Sequence, residues 1–105
     1  MIETKTLIDK LIDTENIKNI SPIIVERTVE LLTQLDIQDS CEVELQVMEH
    51  GTVEIEINEG AWKLNAEVGR TTANFYITAP DTSYTWDRLS GDSMEEMAEE
   101  IQKYL

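Results

Sequence analysis

The chain contains one cysteine, Cys41, which excludes an internal disulfide and any zinc site built on thiol spacing. Histidine is as scarce. His50 stands beside Gly51 in a stretch that reads as a turn, with no serine or cysteine motif to make it the base of a triad. The four glycines fall singly, so no glycine-rich phosphate loop is present. Long apolar runs are missing too. The opening "MIETKTLIDKLIDT" carries charges throughout and is expected to be neither a signal peptide nor a membrane span. With the lone cysteine, this predicts a soluble, cytoplasmic protein. The last scarcity is positive charge: 8 basic residues against 22 acidic ones leave a net charge of −14. Nucleic acid and anionic lipid are polyanions, so direct binding to either is disfavoured and a basic partner is favoured. The plainer use of such charge is to keep a small protein soluble.

What the chain does have is periodic apolar sequence. Its 105 residues, 41% of them hydrophobic, suit one domain spanning 1–105. Residues 4–13 place Leu7, Ile8, Leu11 and Ile12 at helical spacing. "SPIIVERTVELLTQL" (21–35) opens with Ser21 as N-cap and Pro22 at the first helical position. Its apolar face is expected to run through Ile24, Val25, Thr28, Val29, Leu32 and Leu35. At the other end, "SMEEMAEEIQKYL" (93–105) begins with a capping box, Ser93 and Glu96, and has a stripe of Met94, Met97, Ala98, Ile101 and Leu105.

Between these helices the period is two. Apolar positions are odd at 41–47 and 53–57, even at 62–68, odd at 73–79 and even at Tyr84 and Trp86. One buried face must stay buried through every hairpin, so the parities constrain the loops. "EHG" is a three-residue loop with Gly51 last, where a left-handed residue is wanted. An even loop, either Glu59-Gly60 or Asn58–Ala61, joins the next pair, with Ile57 expected opposite Trp62. "GRTT" and "PDTS" make the remaining turns. The predicted fold is α+β: an antiparallel meander of four to five strands, one face covered by two N-terminal helices and a C-terminal helix. Trp62, Phe75, Tyr84 and Trp86 are expected in the core.

The same arithmetic predicts the uncovered face. It carries Glu42, Glu44, Gln46, Met48, Glu54, Glu56, Asn58, Lys63, Asn65, Glu67, Asn74, Tyr76 and Thr78. Glu44 is expected opposite Glu56, with Lys63 on the other flank of Glu56 and Asn65 beside Glu54. Like charges directly opposite each other cost a few tenths of a kcal/mol per exposed pair. A sheet selected for stability alone would alternate glutamate with lysine. The plain reading is a charged face that resists aggregation. The functional reading is an anionic surface for a basic partner, with Tyr76 as an exposed anchor. Glu95, Glu96, Glu99 and Glu100 form a second acidic surface on the last helix. Strand-borne glutamates rarely converge as calcium requires, and no Asp-rich loop is present, so neither a metal nor any other cofactor is expected. Cys41 faces the core as a small apolar residue. Without a carboxylate in a desolvated pocket, no catalytic set emerges.

"ISPIIVERTVELL" (20–32), "GTVEIEI" (51–57) and "WKLNAEVG" (62–69) together resemble a set of small uncharacterised bacterial and phage proteins. In that set an I-S-P helix precedes a G-x-V-x-[LI]-E meander. The resemblance implies the α+β fold and carries no activity or site residue with it. In size, charge and lack of catalytic residues the chain is also similar to phage-encoded inhibitors of bacterial defence, such as anti-CRISPR proteins, and to bacterial immunity proteins. The function expected is therefore non-enzymatic. The leading expectation is an inhibitor whose carboxylates stand in for phosphates in a basic, nucleic-acid-binding groove. The alternative is an antitoxin or immunity-type protein that neutralises one toxic enzyme.

Overall fold

The structure, a computed structural model, describes residues 1–80, 83–89 and 94–105, with 87–89 described by their backbone alone. Helix α1 (Thr4–Ile12) buries Leu7 and Leu11 and is followed by a 3-10 turn (Ile17–Asn19) and by α2 (Pro22–Gln34). Ser21 caps α2 as expected: its side-chain oxygen accepts the Ile23 N–H at 3.3 Å. The face that α2 buries is turned from the expected one. Ile24, Arg27, Thr28, Leu31 and Leu32 are buried, whereas Val25 and Val29 are only half-buried. Arg27 can occupy that stripe because its long apolar stem packs while its head reaches a polar group. That group is the Thr72 carbonyl, 3.5 Å from Nη2.

The segment after α2 is tied down by its neighbours. Ile37 is fully buried and its carbonyl accepts the Ile2 N–H at 2.7 Å. The Gln102 side chain clamps Asp36, accepting from its N–H at 2.9 Å and donating to its carbonyl at 3.0 Å. Five antiparallel strands follow in sequential order: β1 (Glu42–Val47), β2 (Val53–Glu59), β3 (Trp62–Val68), β4 (Thr72–Thr78) and β5 (Ser83–Leu89). This is the meander the parities predict.

At the β1–β2 hairpin Val47 pairs with Val53, and Gly51 adopts φ +90° at the end of the three-residue loop. The β2–β3 hairpin departs from expectation. Glu59, not Ile57, pairs with Trp62, leaving a two-residue loop of Gly60 and Ala61. Gly60 has φ +59° and Ala61 does not have a positive φ, as a type II′ hairpin turn requires. The shift is two residues, so every side chain keeps its face but changes its cross-strand neighbour. In the β3–β4 turn the Gly69 N–H donates to the Thr72 carbonyl at 2.8 Å. Asp81 and Thr82 of the expected "PDTS" turn lie outside the described residues.

Helix α3 (Glu95–Gln102) closes the chain, burying Met97, Ala98 and Ile101. The Ser93 half of the expected capping box lies outside the described residues. The Met94 N–H at the start of the helix donates to Glu30 Oε1 of α2 at 3.3 Å. All three helices cover one face of the sheet, α1 against β1, α2 against β2 and β3, and α3 against α2 and β4. Phe75 is fully buried there and stacks on Trp86 at 5.6 Å between ring centroids. Trp62 and Trp86 are half-buried. Tyr84 corrects the expectation of a core position: it is 38% exposed and packs against Tyr104 at 5.2 Å. The cause is its place on the edge strand, where one flank has no further strand to cover it.

Candidate functional site

On the face opposite the helices, the observed register arranges the polar side chains in three rows. The first runs Gln46, Glu54, Glu67 and Asn74 across β1 to β4. The second runs Glu44, Glu56, Asn65, Tyr76 and Thr85, and the third Glu42, Asn58, Lys63, Thr78 and Ser83. Glu44 therefore stands directly opposite Glu56, as expected. Glu54 stands opposite Glu67 rather than Asn65, and Glu56 opposite Asn65 rather than Lys63. The tighter hairpin thus creates a second like-charged pair where the looser register would have placed an amide. Directly paired residues hold their Cβ atoms about 4.5–5.5 Å apart. Along each strand the two glutamates are two residues apart, so Glu42 and Glu44 on β1, and Glu54 and Glu56 on β2, project side by side.

The five carboxylates are unequally neutralised. Glu56 accepts from the Asn58 amide at 2.8 Å, and Lys63 Nζ reaches it diagonally at 3.5 Å. The Asn58 hydrogen bond chiefly, and the Lys63 charge after it, hold the Glu56 carboxyl below its ordinary value. Glu67 accepts from the Thr52 hydroxyl at 2.7 Å and lies 2.8 Å from His50 Nε2. The Thr52 hydrogen bond is the main cause that lowers the Glu67 carboxyl, His50 adds to it, and partial burial opposes both. Among the described residues no hydrogen bond or ion pair engages the carboxylates of Glu42, Glu44 or Glu54. Asn65 is buried at the centre of the face, and Tyr76 beside it is 48% exposed.

Thr52, His50 and Glu67 bring a hydroxyl, an imidazole and a carboxylate together, a cluster the sequence reading missed. Only the fold joins residues 15 and 17 positions apart. The cluster is a triangle and not a relay. Thr52 Oγ1 lies 3.0 Å from the same Nε2 that meets Glu67, whereas a triad places the nucleophilic hydroxyl and the carboxylate on opposite nitrogens of the histidine ring. What it does is anchor Glu67 and the β1–β2 loop. Cys41, 8% exposed, directs its thiol to Glu59 Oε2 at 3.3 Å; burial first and Glu59 second push the thiol up, away from the nucleophilic thiolate.

The acids of α3 belong to a different surface. Glu95, Glu96 and Glu99 are exposed and Glu100 is half-buried in an ion pair with Lys103 at 2.9 Å, all in the helical layer on the far side of the sheet. A flat partner seated on the sheet face does not reach them. Among the described residues no group of three or more His, Cys, Asp or Glu side chains converges as a metal site would, and no helix is long and apolar enough to cross a membrane. Comparison of the chain with protein-family models, curated proteins and solved structures finds no match.

Proposed function

We propose that the protein is a non-enzymatic binding protein that presents its uncovered, acidic sheet face to a basic protein surface. The observation that carries this reading is the doubled like-charge pairing, Glu44 with Glu56 and Glu54 with Glu67, on a face no helix covers. Such pairs cost stability in the free protein, and a cationic partner converts that cost into binding free energy. Glu42, Glu44, Glu54, Glu56 and Glu67 supply the charge. Tyr76 supplies an amphipathic anchor, of the kind interface hot spots favour. The most specific form of the reading is an inhibitor of the phage or mobile-element type. Its carboxylates occupy a nucleic-acid-binding groove of a host defence protein in place of phosphates. The α3 acids offer a second, separate surface.

The experiment pairs affinity capture from host lysate at low salt with the double variant Glu44→Lys/Glu56→Lys. Wild type is expected to retain a basic protein, to release it as salt rises, and to lose it to added duplex DNA. The variant keeps a like-charged pair and loses the bonds of Glu56 to Asn58 and Lys63, so it is expected to fold with slightly lower stability and to retain nothing. Retention by the variant removes the sheet face as the binding surface. Retention that duplex DNA cannot compete removes the phosphate-mimic form and leaves the immunity-type alternative.

A further inference from the structure

Strand β1 is an edge of the sheet, and it is regular. Its six residues pair with β2 without a bulge, and it contains neither lysine nor proline, two common blockers of strand addition. The Met48 N–H donates to Thr52 across the hairpin at 2.8 Å, which sets the alternation of the ladder. Gln46, Glu44 and Glu42 then bond to β2, and the N–H and C=O groups of Val43, Leu45 and Val47 point away from the sheet. Among the described residues no hydrogen bond reaches these outward groups. Open clefts run beside them. One of about 760 Å³ is walled by Glu3, Thr6 and Lys10 against Val43 and Glu44. A second of about 320 Å³ lies between Asp13 and Thr14 and Leu45, and a third of about 250 Å³ adjoins Val47 and Met48.

We infer that the β1 edge is a strand-addition site for an extended segment of a basic protein in which apolar and basic side chains alternate. The alternation follows from the pleat. Residues of an added antiparallel strand that bond to Val43, Leu45 and Val47 turn their side chains to the helical side, into the clefts beside the half-buried Leu45 and Val47. The intervening residues turn outward, beside the exposed carboxylates of Glu42 and Glu44. Those carboxylates repel an acidic strand, including a second copy of this chain with its net charge of −14, and attract lysine or arginine. Charge on the edge thus selects the occupant in place of blocking all occupants. The inference rests on the reading that the partner is basic, and it adds a surface that is main-chain in character and adjoins the sheet face.

The test uses synthetic nine-residue peptides of alternating valine and lysine, titrated into the full chain and followed by amide hydrogen exchange. Binding is expected to slow exchange at Val43, Leu45 and Val47. N-methylation of the valines removes the donors that face β1 and is expected to weaken binding at least about tenfold, whereas N-methylation of the lysines leaves it unchanged. A valine–glutamate peptide is expected not to bind. Leu45→Pro deletes an outward N–H without touching the ladder to β2 and is expected to abolish binding. Equal binding of the two methylated peptides, or no protection at the three amides, overturns the proposal. Protection that appears without peptide and grows with protein concentration overturns it in favour of a second copy. Lack of peptide binding alongside salt-sensitive capture that Glu44→Lys/Glu56→Lys abolishes removes the edge and leaves the sheet face standing.

Discussion

At the scale of single residues, the acidic face depends on how each carboxylate is held. Glu67 stands opposite Glu54 and yet is depressed below its ordinary value of 4.5, because the Thr52 hydroxyl donates to it and His50 adjoins it. Thr52→Val keeps the branched shape and removes that donor, so the Glu67 carboxyl is expected to titrate higher, as carbon NMR across pH 3–7 reads. The sign for stability follows from the lowered folded value. The Thr52–Glu67 contribution is fully present above the unfolded carboxylate range and is lost as pH falls through the folded value. The stability gap between wild type and Thr52→Val is therefore expected at neutral pH and should vanish in acid. Arg27 and His50 are the two residues whose roles were least legible beforehand. A 3.6-residue period marks Arg27 as polar without saying that its stem packs under the β3–β4 turn. His50 looked like an isolated turn residue because its partner lies on another strand.

At the scale of elements, hairpins and clamps decide the geometry. Parity was sufficient to predict the meander and the side on which every strand residue lies. It could not choose between registers that differ by two residues, since both keep the apolar face buried. The choice falls to turn chemistry: Gly60 at φ +59° accommodates the two-residue loop that draws Glu59 opposite Trp62. Gly60→Ala is expected to cost about 1–2 kcal/mol in denaturant unfolding, because a Cβ is disfavoured at that φ. No loss would show that the loop tolerates another turn. The Gln102 clamp is the corresponding device for α3, joining the last helical turn to the Asp36 backbone through two hydrogen bonds. Gln102→Ala is expected to destabilise the protein by about 1–3 kcal/mol. Gln102→Glu keeps the acceptor but loses the donor and should fall lower than wild type as well.

At the scale of the whole molecule, charge works against compactness. A net charge of −14 is confined to a body of 37 × 28 × 24 Å. At about 0.01 M salt the Debye length is about 30 Å and spans that body; at about 0.15 M it is about 8 Å. Self-repulsion is therefore expected to fall with added salt, and the melting temperature to rise, while affinity for a basic partner falls. A melting temperature that drops with salt would mean that the few ion pairs, Lys63 with Glu56 and Lys103 with Glu100 among them, outweigh the repulsion. The opposed salt responses of folding and binding are what an acidic binding surface predicts, and a merely solubilising charge gives only the first.

Composition and periodicity by themselves determined the α+β class, the order of helices and strands, the face each strand residue occupies and the excess of acid on the uncovered side. Each of these follows from local rules of spacing, turn residues and charge count. Only the tertiary structure decided which carboxylates stand together, because cross-strand neighbours depend on a two-residue choice of register that alternation cannot see. It also decided that the α3 acids lie on the far side of the sheet, and that β1 is an open edge flanked by clefts. Both depend on how the helical layer packs against the sheet, a long-range outcome of core burial that no stretch of sequence encodes alone.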